Sequence, residues 1–440
     1  MKKTERNSNL EKISLSSNSN IIKVNERLQF IKYLLDETGI KPLLDLSDVS
    51  DCTEYFQGGV FKDTFNFIEI INKIGGKLKY IKSGTTGHTF QGIYCLDDKQ
   101  YNYNSTSSQT NSHNILNYAV KVVGFPINND EHDLIHCKTR PENAELQILK
   151  ILSQFVLTNQ TPHIILPLTT FNSYIEPFID LKKKNFISNK KYDAFVEAYE
   201  KKKLHNTVSI LISEWANGGD LLEYMRINLQ NMQLKEWKVL LFQLFSVFAV
   251  IQKKYPGFRH NDAKANNILL QRINTLTDSF FKYQVEQIDF FIPNIGYQIK
   301  LWDFDFACIA GIAENSKVNS KWTNKINISN RQNRYYDICF FISSLQTPGF
   351  IKDFRTNSNV PSQVIDFFDS IVPPELFKSN LINERGRLLC DIEYTTPIEI
   401  LLTHPFFNKF KLKEDRVPEN NFNPSGKLLL HKLISKIIKK

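Results

Sequence analysis

The segment from His260 to Asn267 constrains this chain more than any other. It reads His-Asn-Asp-Ala-Lys-Ala-Asn-Asn and precedes an apolar run, so we expect a loop that opens into a β-strand. It places the carboxylate of Asp262, the ammonium of Lys264 and the amide of Asn267 at fixed offsets. Phosphoryl transfer uses such a set: a carboxylate orients and deprotonates the hydroxyl, a cation stands near the γ-phosphate, and an amide oxygen binds Mg²⁺. Because one octapeptide can occur by chance, the other parts of such a site must follow in order.

The composition describes a globular chain with a surplus of positive charge. Of its 440 residues, 42% are hydrophobic and 12% are aromatic, which is enough for a packed core. The formal net charge of +9 would suit nucleic acid, an acidic membrane or acidic protein substrates. Solvated Lys side chains on surface helices explain this charge better, and no specific nucleic-acid partner is predicted.

Cysteine usage and hydropathy predict a soluble protein of a reducing, cytoplasmic-type compartment. The six cysteines are scattered, without a C-x-x-C pair or a His at metal-ligand spacing, which argues against disulfides and a structural zinc site. The residues after Met1 are polar, so no secretory signal is visible. The longest apolar segment, 239–251, is too short to span a bilayer and is expected to be a buried helix.

Strand-like runs dominate the first half of the chain. The polar segment 1–20 is expected to be disordered, and the apolar spacing at 25–50 suits a short amphipathic helix. A low-complexity insert at 97–114 is typical of a flexible hairpin loop, and Pro141 begins a predicted helix at about 141–157. The predicted strands are 78–81, 89–94, 118–123, 164–166 and 208–212, with a Lys-rich insert at 181–203 before the last.

The chain becomes mainly helical after Gly218 and Gly219, which predicts an α+β fold with two parts of different composition. A basic tail at 427–440 carries apolar positions. We expect it to be a helix docked on the domain, and the alternative is weak contact with an acidic membrane. The predicted division is an extension at 1–74, partly disordered; a strand-rich part at 75–215 with inserts near 97–115 and 170–206; a helical part at 216–410 with a loop or hairpin insert near 271–297; and the tail at 411–440.

Three segments of the strand-rich part carry candidate ATP-binding groups. Gly84 and Gly87 lie in a G-x-x-G turn whose backbone N–H groups could approach phosphates, and a plain hairpin turn is the alternative. Lys121 ends a Tyr-Ala-Val-Lys strand and could meet the α- and β-phosphates. Glu145, on the following helix, has the right setting to pair with Lys121. Glu142 is an alternative partner at the helix start, where acids are common.

The segment 211–221 has the pattern of a strand, a short linker and a helix start. In a nucleotide cleft, the linker backbone around Glu214 and Ala216 could bond the adenine edge, and Asp220 could reach the ribose. The other interpretation is a simple Asn-Gly-Gly-Asp turn in which Asp220 caps the helix. The segment alone does not separate the two.

An acidic cluster follows a strand-like run later in the chain. Asp303 would face the cleft beside Asn267 as a ligand of Mg²⁺ (or Mn²⁺), and Asp305 is a second candidate carboxylate. Asp337 opens an apolar helix, where a buried carboxylate could hold the octapeptide backbone rather than do chemistry. His404, at the end of a capped helix, is expected to be a core hydrogen-bonder and not a ligand.

Taken in order, these segments resemble the eukaryotic-type protein kinase fold from about residue 75 to 410. The octapeptide matches the kinase pattern H-R-D-x-x-x-x-N at every position except the Arg. The segment His-Pro-Phe-Phe at 404–407 resembles the end of the kinase fold. The D-F-D triplet at 303–305, the Tyr-Tyr-Asp helix start and the lack of A-P-E are similar to the virion-associated kinases of poxviruses and giant viruses. The resemblance implies a bilobal fold, ATP and Mg²⁺ as cofactors, protein substrates with Ser/Thr acceptors, and packaging in the virion.

The resemblance also implies roles for single residues. Asn261 replaces the Arg that usually clamps an activation-loop phosphate, so we expect activity not to depend on such phosphorylation. Lys82 replaces the first glycine of the phosphate-binding loop, which should weaken the phosphate cover without eliminating transfer. By resemblance, Asp262 would be the catalytic base, Lys264 the γ-phosphate lysine, Asn267 and Asp303 the Mg²⁺ ligands, and Lys121 with Glu145 the pair that positions ATP.

Two other functions stay open on the sequence. A small-molecule kinase of the same fold, such as the choline and aminoglycoside kinases, often has an acid two residues after the metal Asp, as Asp305 is here. Lys264, the Gly-Gly-Asp-Leu linker and the H-P-F-F end favour the protein kinase. A catalytically dead scaffold is the second alternative, and the joint retention of base, metal ligands and ATP lysine argues against it. The oligomeric state is left open.

Overall fold

The computed structural model describes residues 27, 31–32, 34–36, 38–43, 59–74, 77–84, 87–95, 115–127, 134–184, 186–273, 279–318, 320–411 and 428–430. Within these residues the protein has the predicted α+β fold. A five-stranded sheet comes first along the chain and a mainly helical part follows. Most of their buried apolar side chains form one continuous core.

Alternating and β-branched residues between 77 and 214 form the five-stranded sheet. Its strands are β1 (Lys77–Ser83), β2 (Gly87–Cys95), β3 (Ile115–Pro126), β4 (Pro167–Tyr174) and β5 (Leu204–Glu214). The spatial order is β1-β2-β3-β5-β4, and every pair is antiparallel. On β3, Val120 and Val122 are fully buried on one face, so Lys121 projects from the other face and is nevertheless buried.

A long helix, α2 (Pro141–Leu157), carries the acids predicted near Lys121. Its bounds are those predicted, and Pro141 lies in its first turn, where the missing N–H leaves no bond unmade. The helix is buried along most of its length, including both Glu142 and Glu145. Because these acids are three residues apart, they lie on adjacent positions of one face.

The predicted strand at 164–166 is wrong. These three residues are buried in the core, but Ile164 forms an isolated parallel bridge to Leu301, and β4 begins only at Pro167. An apolar run satisfies the burial pattern whether or not it pairs in a sheet, so periodicity could not separate the two cases.

The insert predicted near 170–206 is shorter than expected, because β4 and β5 take up both of its ends. Between these strands lie two helices, α3 (Glu176–Lys183) and α4 (Lys190–Glu200). Asn189 caps α4 by accepting from the backbone N–H of Lys191. Four of the eight lysines of the segment 181–203, Lys182, Lys183, Lys190 and Lys191, lie in these two helices.

The helical part is built around α6 (Leu234–Lys254), which confirms the buried helix predicted at 239–251. The other helices are α5 (Leu221–Asn228), α7 (Lys321–Asn324), α8 (Tyr336–Leu345), α9 (Ser362–Ile371), α10 (Pro374–Lys378) and α11 (Pro397–Thr403). A capping box between Thr396 and Glu399 begins α11, as predicted. His404 ends that helix and bonds Ser370 at 2.9 Å, so it is a hydrogen-bonder as predicted, but it is partly buried and does not lie in the core.

Short antiparallel pairs flank the octapeptide. Strand β6 (Phe258–Arg259) precedes it and pairs with β11 (Cys308–Ile309), and β7 (Ile268–Arg272) follows it and pairs with β10 (Tyr297–Leu301). The register sets Ile268 opposite Leu301, so Asn267 and Asp303 emerge at the same end of this pair. The insert predicted near 271–297 contains a hairpin of β8 (Ser279–Val285) and β9 (Ile288–Pro293).

The described segments before residue 75 belong to the packed molecule. Ile31, Leu34 and Leu35 are buried, and residues 31–32 and 34–35 are helical, as the apolar spacing predicted. Helix α1 (Phe67–Ile74), which the sequence analysis did not predict, buries its apolar face in the same core. The described part of the extension is therefore integral to the fold.

Strand β12 (Leu428–Leu430) pairs with β8 antiparallel, so the helix predicted for the tail is wrong at these three residues. The rest of the tail lies outside the described residues, as do segment 1–20 and the insert at 97–114. In the parts of the chain that the structure describes, no helix is long and apolar enough to cross a membrane.

Candidate active site

The backbone of the octapeptide is fixed by the buried carboxylate of Asp337 on α8. Its two oxygens accept from the backbone N–H groups of His260 and Asn261, at 2.8 and 2.9 Å. Burial raises the pKa of Asp337 against the lowering effect of these donors. The predicted structural role of Asp337 is thus present. His260 adds a second tie, because its Nε2 lies 3.0 Å from the carbonyl oxygen of Trp302, beside Asp303.

The carboxylate of Asp262 is held by groups on both of its oxygens. Oδ2 accepts from Asn267 Nδ2 at 2.8 Å and lies 2.9 Å from Lys264 Nζ. Both partners come from the octapeptide, so the sequence spacing does bring the three side chains together. Oδ1 accepts from the guanidinium of Arg387 at 2.6 Å, a contact between residues 125 positions apart.

Lys121 joins the sheet to the rest of the site. Its ammonium lies 2.6 Å from Glu145 Oε1 and 3.1 Å from Asp303 Oδ1. Burial alone would lower the pKa of Lys121, but the two carboxylates outweigh it and raise that pKa. Of the two acids on α2, Glu145 is therefore the partner, while Glu142 lies 3.5 Å from Arg140.

Asp303 follows β10 and turns toward Lys121, in a backbone conformation with a φ of 62°. Burial would raise its pKa, but Lys121 more than offsets this and holds the pKa of Asp303 below its usual value. Asp305, the second candidate, is instead ion-paired with Lys317. The structure thus separates two carboxylates that the sequence left as alternatives.

The carboxylate of Glu214 is engaged by protein groups on both of its oxygens. Arg27 donates to both of its oxygens at 2.6 Å, and the backbone N–H of Leu166 donates to Oε2 at 2.7 Å. Burial would raise the pKa of Glu214, but Arg27 outweighs it and keeps that pKa low. The backbone N–H of Glu214 donates to the carbonyl oxygen of Leu166, so this donor already has a partner.

The linker after Glu214 is tied to the strand that follows the octapeptide. Gly218 donates to the carbonyl oxygen of Leu270 at 2.7 Å, and Leu270 donates back to Gly219 at 2.8 Å. A Cβ on Gly218 would come within 2.6 Å of that carbonyl oxygen, which explains the glycine. Ala216 is buried, and Asp220 caps α5 by accepting from Glu223, so the capping interpretation holds for its carboxylate.

Gly84 and Gly87 close the β1–β2 hairpin. The N–H of Gly84 donates to the carbonyl oxygen of Gly87 at 2.7 Å, as a plain hairpin turn requires. A Cβ on Gly87 would lie 3.2 Å from Lys121 Cε, so the second glycine adjoins the candidate ATP lysine. The two residues between them lie outside the described part of the chain.

The donor set at Asn267 and Asp303 suits Mg²⁺ and not a softer metal. Because Asn267 donates its Nδ2 to Asp262, the amide oxygen faces the other way and is left to bind a cation. One carboxylate and one amide oxygen are typical protein ligands when phosphate oxygens and water complete the shell. Among the described residues, no group of three His, Cys, Asp or Glu side chains could hold a metal by itself.

Several residues of the site were not found in the sequence. These are Arg387 on Asp262, Arg27 on Glu214, Lys317 on Asp305, and Arg259, which binds the segment near 327–331. Arg259 stands directly before His260, so its position next to the octapeptide was the single available signal. The other three lie in segments without a motif.

Comparison with known proteins identifies the class to which this fold and site belong. No protein-family model matches the chain. A protein of Acanthamoeba polyphaga mimivirus, named as a serine/threonine-protein kinase, is 41% identical over 415 residues, covering 92% of this chain and 84% of its own. A second mimivirus protein with that description is 26% identical over 273 residues, 54% of this chain and 68% of its own. One from Invertebrate iridescent virus 6 is 34% identical over 64 residues, 14% of this chain and 12% of its own.

The chain belongs to the serine/threonine-protein kinases and is similar to those of large DNA viruses. The predicted resemblance to giant-virus kinases is therefore confirmed, and so is the class of enzyme, a protein kinase. Membership of the class does not by itself assign the single residues of the site.

Proposed function

We propose that this protein transfers the γ-phosphate of ATP to Ser or Thr hydroxyls of protein substrates, with Mg²⁺ (or Mn²⁺) as cofactor. The observation that carries the proposal is the convergence of three segments. Lys121 from the sheet contacts Glu145 and Asp303, and Asp303 adjoins the octapeptide that holds Asp262. These are the groups that phosphoryl transfer needs for positioning and for charge stabilisation.

ATP would bind between two lobes, residues 75–215 and 216–410. Lys121 would hold the α- and β-phosphates, with Glu145 fixing its ammonium, and the turn of Gly84 and Gly87 would cover the phosphates. The carbonyl oxygen of Glu214 and the backbone of Ala216 would receive the adenine, and Asp220 would reach the ribose with Oδ2, the oxygen that does not cap α5. Since the Glu214 side chain is taken by Arg27, its part in nucleotide binding would be limited to its backbone.

Asp262 would act as the base. As the acceptor hydroxyl oxygen forms its bond to the γ-phosphorus, the bond to the β-phosphate oxygen breaks, ADP leaves, and the hydroxyl proton passes to Asp262. Lys264, 28% exposed beside Asp262, would balance the charge on the transferring group. Asn267 and Asp303 would hold Mg²⁺, which supplies charge neutralisation along the phosphates when bound.

We propose that the protein works in a reducing, cytoplasmic-type compartment and is packaged in a virion; the viral origin of its relatives supports the second part. The scattered cysteines are consistent with a reducing compartment, because Cys308, Cys339 and Cys390 are free thiols. The net charge of +9 fits acidic protein surfaces, and the basic tail could add weak contact with an acidic membrane.

The central test is transfer from radiolabelled ATP to casein or a basic protein. Asp262→Asn should lower the rate about 10²–10⁴-fold, because it removes the base and leaves the hydrogen bonds of an amide in place. Asp369→Asn is the matched control. This carboxylate is also paired with an arginine at 2.6 Å, but on the surface, and the variant should retain wild-type activity.

Two outcomes would contradict the proposal. If choline or an aminoglycoside accepts phosphate and proteins do not, the protein is a small-molecule kinase. If wild type and Asp262→Asn bind ATP and are equally inactive on all acceptors, the protein is a scaffold.

A further inference from the structure

Arg387 occupies a built position beside the candidate base. Its Nη2 donates to Asp262 Oδ1 at 2.6 Å, and its Nη1 donates to the carbonyl oxygen of Asn261 at 2.6 Å and to the hydroxyl of Tyr336 at 3.2 Å. The guanidinium lies over the ring of Phe340, 4.3 Å from its centroid. With 10% of its side chain exposed, this arginine is held by hydrogen bonds and stacking on several sides.

The turn that carries Arg387 is fixed to the core. Asn383 accepts from the N–H of Arg387 with its side chain and donates to the Arg387 carbonyl oxygen with its backbone. Gly386 has a φ of 84°, and a Cβ there would come within 2.5 Å of the Ser344 backbone nitrogen on α8. Only glycine fits so close to a helix backbone, so the turn is locked against the helix that also supplies Asp337 and Tyr336.

The two oxygens of Asp262 therefore have separate partners. Lys264 and Asn267 engage Oδ2, and Arg387 engages Oδ1. A carboxylate oxygen can accept two hydrogen bonds, so Oδ1 keeps one acceptor position for a substrate hydroxyl. Because Arg387 holds Oδ1 while the octapeptide groups hold Oδ2, it adds a restraint on the side-chain torsion of Asp262 from outside the octapeptide.

We propose that Arg387 is a positioning residue that holds Asp262 in the orientation required for proton abstraction. The inference rests on the proposed function, since it takes Asp262 to be the base. The locked turn favours a positioning role over that of a plug, by which we mean an inhibitory side chain that covers Asp262 until substrate binds. A plug has to leave when substrate arrives, and this guanidinium is anchored at three acceptors and one aromatic ring.

The test compares Arg387→Ala and Arg387→Lys with wild type in full-length protein. We expect Arg387→Ala to lower kcat about 10²-fold, the effect of a misplaced catalytic group, with KM for ATP unchanged within about twofold. Arg387→Lys keeps the charge but cannot reach Asp262 and Asn261 together, so it should recover part of kcat. Arg355→Ala removes an arginine from the surface pair with Asp369 and should behave as wild type.

A structural role is separated from positioning by repeating Arg387→Ala in the Asp262→Asn background. If Arg387 acts through Asp262, the second substitution changes the residual kcat less than about threefold; a general loss of folding would lower both backgrounds equally. An unchanged kcat in Arg387→Ala would overturn the proposal, and an increase would identify a plug instead.

A separate measurement distinguishes failure of this inference from failure of the proposed function. The melting temperatures of Arg387→Ala, Asp262→Ala and the double variant do not depend on activity. If the contact exists in solution, the double variant should lose less than the sum of the two single losses, because each single change leaves a buried charge without its partner. Additive losses would show that Arg387 and Asp262 are not in contact in solution. The positioning role would then be overturned, even if the protein proves to be an active kinase.

Discussion

Two residues of the site, Asn261 and Asp303, have positive φ angles, of 60° and 62°. Asn and Asp tolerate this left-handed region better than other residues with a Cβ. At Asn261 it lets the backbone N–H reach Asp337 while the side-chain amide reaches the opposite direction, toward the carbonyl oxygens of Phe306 and Ser329. At Asp303 it turns the carboxylate toward Lys121. The strain is thus located where side-chain direction matters most.

His163 provides a test of burial at the level of a single residue. Its ring bonds Tyr283 at 2.7 Å and the carbonyl oxygen of Ile299 at 3.0 Å, and burial lowers the pKa of His163 to about 3. A neutral histidine in the folded state means that the unfolded chain binds the additional proton. The contribution of His163 to the unfolding free energy is therefore fully present above the unfolded pKa of about 6.5 and is lost as the pH falls toward 3.

We predict that the unfolding free energy of wild type decreases by up to about 1.4 kcal/mol more per pH unit than that of His163→Gln between pH 6 and pH 4. The measurement is urea denaturation across this range. Tyr283→Phe is the control, because it removes the hydrogen bond but leaves the titrating ring, so its slope should follow wild type. Parallel curves for wild type and His163→Gln would contradict the burial of a neutral ring.

At the scale of elements, the segment after Asp303 is held by side-chain hydrogen bonds from Asn261 and Arg259. Asn261 donates to the carbonyl oxygens of Phe306 and Ser329, at 3.0 and 3.1 Å. Arg259 donates to Ser329 Oγ at 2.7 Å and to the carbonyl oxygen of Asn327 at 2.6 Å, with its guanidinium over the ring of Tyr336. Asn261 therefore ties both ends of the segment to the octapeptide, and Arg259 adds two bonds at the later end.

We predict that phosphatase treatment leaves kcat within about twofold, because hydrogen bonds to hydroxyl and backbone carbonyl oxygens hold the segment that an arginine–phosphate pair holds elsewhere. Mass spectrometry would verify that the treated protein carries no phosphate. Asn261→Ala should reduce kcat and increase hydrogen exchange at 327–331, since both ties are lost together. Loss of activity on dephosphorylation would show that the prediction is wrong.

At the scale of the whole molecule, the extension before residue 75 is fastened to the linker between sheet and helices. Arg27 is 2% exposed, binds both oxygens of Glu214, and also donates to the carbonyl oxygen of Ile164 at 2.9 Å. Lys300 donates to the nearby carbonyl oxygen of Pro162. The contact therefore joins the extension, the end of β5 and the segment before β4.

We predict that Arg27→Ala lowers the unfolding free energy by about 3 kcal/mol, because it leaves the Glu214 carboxylate buried without its partner. Denaturation in urea measures the loss. Arg331→Ala, which breaks an exposed pair with Asp391, should change stability by less than about 1 kcal/mol. Equal effects of the two variants would mean that the extension is not part of the cooperative unit.

Contacts between residues close in the sequence could mostly be predicted from the sequence, and most contacts between distant residues could not. Asp262, Lys264 and Asn267 meet because they lie within six consecutive residues of one loop, and Pro141 with the apolar repeat defines α2. Such features depend on local geometry, which the sequence states directly. The strand at 164–166 failed because burial without pairing leaves the same apolar signal.

The sequence by itself determined the α+β class, the order of the segments and the spacing of the octapeptide. Only the tertiary structure decided that Asp303 and not Asp305 faces Lys121, that Glu214 belongs to Arg27, and that Arg387 reaches Asp262. The physical reason is that these contacts join residues from 12 to 187 positions apart. A single charged side chain carries no pattern that names its partner, and packing of the surrounding elements makes the choice.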